Sequence, residues 1–398
     1  MSAGPRVLVA GGSLGGLTAA HVLAGAGCDV TVLERSPVPL TGRGAGIVLH
    51  PATVRWWREH EVRPLSELSA AMRRLRYLDA DGAIAHEQPC RYRVSSFDAL
   101  YRDLSARIDP ERHRLGCAVA GFEIDADGVT VAIDGGATER CDLLVCADGI
   151  GSRGRQALLP DVAPRYAGYV AWRGTVVEHD LSAPALDALL GAIAYHLMDR
   201  SHFLTYPIPG ADGSVEEGRR LTNWLWYRNV AEGPDLDALM TDRGGVRRPV
   251  SLAPGGVAEE HLDALRAASA ERLPPALAEL VAATPEPFVQ VVFDIEVPRM
   301  AFGRACLIGD AAFALRPHAA VGSAKAAEDA WTLGAAMTGA GFDVPAALAA
   351  WEPGQLALGR GALERTRRAG DRAQRTNEWQ VGEPLPWGLY ATGDSALD

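Results

Sequence analysis

No two of the six cysteines in this 398-residue chain are spaced as C-x-x-C. Cys28, Cys90, Cys117, Cys141, Cys146 and Cys306 stand singly, half of them in apolar strand-like runs, a pattern of buried free thiols rather than disulfides or metal ligands. The ten histidines make no H-E-x-x-H or similar cluster, so no metal site is expected. Lysine is nearly all replaced by arginine and the net charge is −11, which argues against a nucleic-acid surface. No uninterrupted apolar run reaches roughly eighteen residues, the least a membrane-spanning helix needs. The first residues run straight into a strand without a charged leader, so neither a membrane span nor a signal peptide is expected and the expected location is cytoplasmic.

What the chain does have is glycine, 43 residues of it, and three glycine-bearing segments far apart in sequence speak to one another. The first is Val9-Ala10-Gly11-Gly12-Ser13-Leu14-Gly15-Gly16-Leu17, which follows an apolar strand from Arg6 to Ala10 and opens a small-residue helix. That context makes it a dinucleotide pyrophosphate loop: Gly11 permits the tight turn, Gly16 the close packing of helix on strand, and the bare amides of the helix start face the phosphate charge. Ser13 stands where a second glycine is usual and adds a hydroxyl donor. Gly11, Ser13, Leu14 and Gly16 are the loop's candidate contacts. A second strand, Val30 to Leu33, ends in Glu34-Arg35, where an acid that pairs with ribose hydroxyls belongs. Glu34 there favours adenosine ribose over a 2′-phosphate.

The other two segments are the Asp-Gly turn Cys146-Ala147-Asp148-Gly149-Ile150-Gly151-Ser152-Arg153-Gly154-Arg155 and the strand-to-helix run Leu307-Ile308-Gly309-Asp310-Ala311-Ala312. Together the three read as one FAD site assembled from distant pieces of chain. Asp310, after an apolar strand, is placed to accept a ribityl hydroxyl.

These fingerprints resemble those of the single-component flavin-dependent aromatic hydroxylases, whose fold is that of para-hydroxybenzoate hydroxylase. Within that family the chain is similar to the branch of 2,6-dihydroxypyridine 3-hydroxylases, through Tyr166 to Gly174, Tyr206 to Gly210, Trp226 to Asp235 and Arg316 to Ala320; the likeness covers about the first 350 residues. Two departures stand out. After Gly309-Asp310-Ala311-Ala312 the family has His, Pro, Gly-x-Gly and Asn, where this chain has Phe313, Pro317, Ala320, Gly322, Ala324 and Lys325. An arginine that the family places three residues before a helix-start leucine falls here on Phe97, so Arg102 or Arg43 could contact the FAD phosphate only by reaching differently.

The resemblance implies an α/β fold: a discontinuous Rossmann-like FAD-binding domain (residues 1–75, 96–163 and 298–350), an inserted antiparallel-sheet substrate domain (76–95 and 164–297) and a C-terminal helix and tail (351–398). Val250 to Leu280 reads as helices of the inserted domain and Ala346 to Trp379 as a further helix, with Arg365, Arg367, Arg368, Arg372 and Arg375 on a solvated face. It implies noncovalent FAD, with NADH or NADPH as co-substrate and O2 as oxidant. The ring would be hydroxylated ortho or para to a hydroxyl through a flavin C4a-hydroperoxide. The substrate would be a phenol or hydroxypyridine activated as its anion, needing a hydrogen-bond acceptor near the ring hydroxyl and a water-excluding pocket. Expected partners are thus a small aromatic or hydroxypyridine and O2, with no nucleic acid and no membrane, and a homodimer as the candidate assembly.

Asp148 resembles the family acid that touches the flavin side and orders Arg155. Pro317, Ala320, Gly322, Ser323 and Ala324 would run beside the flavin ring, and Gly309, Arg35, Arg43, Gly46 and Val48 are further candidate cofactor contacts. For the substrate hydroxyl the candidates are His318, then Tyr206 and His202; Trp172, Trp224, Trp226 and Tyr227 would wall the pocket or fill a sheet-to-helix interface. Three readings stay open: the hydroxylase, a flavoprotein of the same fold that only reduces or dehydrogenates, and a non-catalytic FAD-binding protein. Pocket shape rather than motif sets the ring that is accepted.

Overall fold

The computed structural model describes residues 4–42 and 46–397; Arg43 lies outside the described residues. Strands Arg6–Ala10, Asp29–Glu34, Leu143–Cys146 and Ala305–Leu307 are short, nearly unbroken apolar runs, the composition of strands covered on both faces. They form the centre of a six-stranded sheet edged by His113–Leu115 on one side and the antiparallel pair with Ala301–Phe302 on the other. Register decides what this sheet can do. Leu33 pairs with Ala10, Ala10 with Cys146, and Cys146 with Leu307, all in parallel strands. The three glycine-bearing segments therefore leave one edge of the sheet side by side, at the carboxyl ends where open α/β sheets bind ligands.

Helices Leu14–Gly25 and Gly322–Gly339 lie together over this sheet. Small residues let them approach: a Cβ on Gly15 would sit 3.0 Å from the Ala326 methyl, and one on Gly334 2.6 Å from Val22 Cγ1. A three-stranded sheet, Val119–Ile124, Val129–Ile133 and Thr138–Cys141, packs beside the same core.

The second layer is a nine-stranded sheet in which Arg165–Val177, Leu221–Asn229, Ser201–Ile208 and Ala192–Met198 are consecutive neighbours. It is antiparallel apart from one parallel pairing, Ala192–Met198 against Ala70–Leu78, which brings the hairpin Ala70–Leu78 and Ile84–Ser96 into the sheet with Gly46–Val48 at its edge. The sheet thus takes in two segments that the sequence groups with the nucleotide portion, because their backbone groups pair here.

Side-chain parity divides this sheet into two cores. Tyr169, Ala171, Leu204, Tyr206, Leu225 and Tyr227 share one face. Val170, Trp172, Phe203, Trp224 and Trp226 share the other, packed on helices Ala183–Leu189, Glu259–Arg272 and Pro275–Ala283. Of the four aromatics considered for the pocket wall, only Tyr227 faces the nucleotide domain. Trp172, Trp224 and Trp226 fill the sheet-to-helix layer, where the indole of Trp224 donates to Thr284 Oγ1 at 2.8 Å and that of Trp226 to Ser201 Oγ at 3.0 Å.

The long helix Val344–Gln374 crosses the end of this sheet, and its basic face is not simply solvated. Arg367 Nε donates to Asp294 at 3.0 Å, Arg375 to the Ala167 carbonyl at 3.1 Å and Arg372 to Glu383 at 2.9 Å, while Arg365 reaches the Leu389 carbonyl. Arg368 alone of the five makes only an exposed ion pair one turn away, with Glu364. The run expected to meet water instead docks the helix on the sheet and ties down the tail.

Candidate functional site

The glycine loop has the shape of a phosphate cradle. Gly11 has φ +106°, open to glycine but strained for other residues, and a Cβ there would lie 2.4 Å from the Ala147 carbonyl oxygen. A Cβ on Gly16 would lie 1.9 Å from the Gly11 carbonyl oxygen, so helix and strand touch only because both residues lack one. Ser13 is the helix N-cap but makes no side-chain cap bond, leaving its hydroxyl uncommitted to the helix; Leu14 is buried in an adjoining apolar cluster.

Glu34 is buried at the end of its strand, and its two oxygens accept the amides of Gly12 and Ser36, each at 2.8 Å. The acid therefore shapes the loop. His113, from the neighbouring strand, brings a buried Nε2 without a partner to the same corner. The sequence reading did not single it out, since nothing local marks it; only the pairing of Val32 with His113 places it there. Arg35 is exposed at the strand end.

Asp148 does not touch the Arg155 side chain through any recorded hydrogen bond. It accepts from Ser152 Oγ at 2.5 Å and the Gly154 amide at 3.2 Å, and Ser152 Oγ in turn accepts the Arg155 amide at 2.8 Å. Arg155 itself is locked by the carbonyls of Ile150 and Ala311 at 2.5 and 3.1 Å, pinning the second segment to the third. The ordering of Arg155 by Asp148 thus runs through the helix cap. Arg102, an alternative phosphate contact, donates to the Ala211 carbonyl at 2.8 Å.

Gly309 to Ala311 form a turn of 3-10 helix, with Gly309 at φ +56° and its amide donated to Asp329 at 2.9 Å. Asp310 then projects into a cavity of about 310 Å3 between the two domains. Burial pushes its carboxyl up to about 6, against the nearby positive charges of Lys325 and Arg155. A half-buried carboxylate on the cavity wall, with no hydrogen-bond partner among the described residues, suits a hydroxylated chain such as ribityl. With the glycine cradle, these residues fit FAD.

Gly46, Val48, Pro317, Ala320, Gly322 and Ser323 line the same cavity, while Ala324 is buried behind it. Gly46 is held by Asn223, which accepts its amide at 3.1 Å; a Cβ there would lie 2.6 Å from the Tyr206 ring. Ala320 occupies the left-handed region at φ +56°, the conformation that glycine, usual here in the family, takes without penalty. A hydrogen bond of 2.8 Å between His50 Nε2 and the Ala320 carbonyl holds this turn.

The opposite wall comes from the nine-stranded sheet and from the tail. His202 and His318 converge with ring centroids 5.3 Å apart, and Tyr227 lies 4.6 Å from the first and 5.1 Å from the second. Gln374 Nε2 donates to His202 Nδ1 at 3.0 Å, so the proton of that neutral imidazole sits on Nε2. Tyr169 hydrogen-bonds His318 Nε2 at 2.7 Å, and His318 Nδ1 is buried with no partner among the described residues. Tyr206 lines the cavity near Gly46. Arg173, Tyr195, Trp379 and Trp387 also line it. The two tail tryptophans escaped the sequence reading, because only the docked tail brings them to the pocket.

Burial holds both imidazoles uncharged: His318 is pushed down to about 3, with Arg316 adding to the effect, and His202 lies well below the usual histidine range. His50 is pushed down to about 4. These groups are neutral in the folded chain but protonate in the unfolded chain as pH falls below 6.5, so the unfolded state then binds more protons. Stability is therefore full above about pH 6.5 and falls below it, by about 1.4 kcal/mol per pH unit for each such histidine. Urea melts of wild type and His318→Gln between pH 7 and 4.5 should show a shallower acid loss in the variant. Parallel slopes would mean that His318 titrates normally.

A family profile described as FAD binding domain-like matches residues 166–294, which span most of the nine-stranded sheet. The chain is 38% identical over 380 residues to a 2,6-dihydroxypyridine 3-monooxygenase of Paenarthrobacter nicotinovorans, covering 95% of this chain and 94% of that one. The crystal structure of a 2,6-dihydroxypyridine-3-hydroxylase from Arthrobacter nicotinovorans is similar with a TM-score of 0.90 at 36% identity, over 98% of this chain and 96% of the other. A Klebsiella pneumoniae protein crystallised with FAD and uric acid shares the fold at a TM-score of 0.77 and 24% identity, covering 94% and 90% of the two chains.

Proposed function

Since the chain belongs to the single-component FAD-dependent aromatic monooxygenases, we propose that its substrate is a dihydroxypyridine or a near hydroxylated heteroaromatic, hydroxylated with NAD(P)H and O2. The observation that carries this reading is the His202–His318 pair, two uncharged imidazoles facing a cavity of about 310 Å3 beside the cofactor turn. The 38% identical relative named for 2,6-dihydroxypyridine supports it.

FAD, when bound, supplies the electron transfer from NAD(P)H and the activation of O2. The chain's own residues do the rest. Gly11, Ser13 and Gly16 would cradle the pyrophosphate, Glu34 and His113 would meet the adenosine ribose, and Asp310 would accept from the ribityl chain. Pro317 to Ser323 would lie along the flavin ring. His318 and His202, neutral at working pH, can hydrogen-bond ring oxygens without adding charge, which orients the ring for attack next to a hydroxyl. The roof strands, with Trp379 and Trp387, would cover the reacting edge and keep water from it once cofactor and ring are bound.

Removing the Asp310 carboxylate takes away a charged hydrogen bond worth roughly 1.5–3 kcal/mol. Titration of apoprotein with FAD should show affinity at least about tenfold weaker in Asp310→Ala; equal affinity would take Asp310 out of the cofactor site.

The reading is tested by comparing kcat/KM for coupled hydroxylation of 2,6-dihydroxypyridine and para-hydroxybenzoate, with oxygen uptake and mass spectrometry of products. The dihydroxypyridine should be preferred. Preference for the benzoate would overturn the substrate class; NAD(P)H oxidation without hydroxylated product would favour a flavoprotein that only reduces or dehydrogenates.

A further inference from the structure

Arg173 stands in the wall of the ring cavity without a counter-ion. It lies on strand Arg165–Val177, two residues from Ala171 and four from Tyr169, so strand alternation turns it to the same face of the sheet. Its Nε is buried and has no hydrogen-bond partner, and no ion pair joins it to an acid among the described residues. Buried guanidiniums in and around this sheet are matched by acids or by neutral oxygens: Arg76 by Glu87 at 2.7 Å, Arg220 by Glu178 at 2.8 Å, Arg316 by Asp294 at 2.9 Å, and Arg93 by Ser69 Oγ at 2.8 Å and the carbonyls of Leu65 and Ser69.

What surrounds Arg173 instead is neutral. Its charge bears on the phenols of Tyr206 and Tyr227. His202, on the same sheet, and His318, on the turn after Pro317, carry none. The one other charged group lining the cavity among the described residues is Asp310, on the cofactor side. Half-buried on the cavity wall, the guanidinium is hydrogen-bonded to the neutral Tyr227 hydroxyl but keeps a buried Nε donor that an anion in the cavity would satisfy. Guanidinium N–H groups can meet an oxyanion directly and cannot be deprotonated in its place. An acceptor was expected near the ring hydroxyl, yet the charge here is that of a donor.

We propose that Arg173 is a specificity-determining residue that receives the ionised hydroxyl of the ring, so that the cavity takes hydroxylated heteroaromatics as their anions. This rests on the reading of the cavity as the hydroxypyridine site. The ring enters already deprotonated, its proton left to solvent, and the imidazoles orient it without acting as bases on that hydroxyl. The electron-rich ring that oxygen transfer demands is thereby selected at binding.

The test uses the FAD-loaded wild type with Arg173→Gln and Arg173→Lys, after their FAD content and melting temperature are found equal. Binding of 2,6-dihydroxypyridine, followed by perturbation of the flavin spectrum, should weaken at least tenfold in Arg173→Gln and recover in part in Arg173→Lys, with KM changed more than kcat. The neutral 2,6-difluoropyridine, which cannot ionise, should bind all three alike. Unchanged binding of the dihydroxypyridine in Arg173→Gln overturns the proposal, as does weaker FAD affinity with unchanged ring binding, which would make Arg173 a cofactor contact.

A measurement that needs no variant is the ultraviolet difference spectrum of the ring bound to wild type at a pH below its free ionisation. The bound ring should absorb as its anion; a neutral spectrum overturns the proposal even if the variants fail to fold. A wild type that binds no hydroxylated ring overturns the cavity reading together with this one, whereas binding that is indifferent to Arg173 overturns this one alone.

Discussion

Lys325→Met is expected to destabilise the protein by about 3–5 kcal/mol, the usual consequence of leaving one half of a buried ion pair behind. Lys325 is the only lysine in the sequence, and its ammonium lies 2.5 Å from Asp329 Oδ1 with both side chains almost fully buried. The second oxygen of Asp329 accepts the Gly309 amide, and the Asp329 carbonyl accepts the Trp351 indole at 3.1 Å. Without the lysine, Asp329 would have to take a proton, a change that burial already favours. Urea unfolding of the FAD-free protein measures the loss, and FAD titration should show weaker binding, since Gly309 sets the turn that carries Asp310. The double variant Lys325→Met/Asp329→Leu should recover much of the stability but not the FAD affinity. A loss under about 1 kcal/mol in the single variant would show that the pair is solvated and contributes as a surface bridge does.

His318→Ala should lower kcat/KM for the hydroxypyridine by about a hundredfold, the range for losing a group that positions the reacting part of a substrate. The imidazole is fixed from behind by Tyr169 and by Gly370 of the long helix, where a Cβ would lie 2.6 Å from the Tyr169 hydroxyl and 3.0 Å from His318 Cδ2. Tyr169→Phe keeps the ring in place but removes the bond that orients it, so its effect should be smaller, about tenfold. Steady-state kinetics with product quantification separates the two, and FAD content should be unchanged in both. An unaffected His318→Ala variant would move the hydroxyl-binding role to His202 or Tyr206.

Local physics made the nucleotide half legible. Gly11 and Gly16 are required by backbone approach within a single strand-turn-helix unit, and Glu34 follows at the end of the next strand, so the pattern lies within about thirty residues of chain. Asp148 and Asp310 were legible because each ends an apolar strand, and parallel pairing brings strand ends together. The same logic missed His113, whose strand is three residues long and has no apolar signature.

The substrate half was legible only in part. His318, His202 and Tyr206 line one cavity, but Trp172, Trp224 and Trp226 do not, because strand alternation sends them to the other face. Their motif carried composition without parity. The arginines of the long helix misled for a related reason: periodicity marks a polar face but does not say whether water or the Asp294 carboxylate will meet it.

The sequence by itself determined the cofactor class, the two-layer α/β plan and the carboxylates at the strand ends, because those follow from contacts close in the chain or from the parallel pairing of apolar strands. Only the tertiary structure decided the pocket. Its walls come from strands near residues 46, 173, 202 and 227, a turn at 318 and tryptophans at 379 and 387, segments with no local reason to meet. The neutrality of His202 and His318 follows from burial, which depends on the whole fold: the same histidines would titrate normally in water.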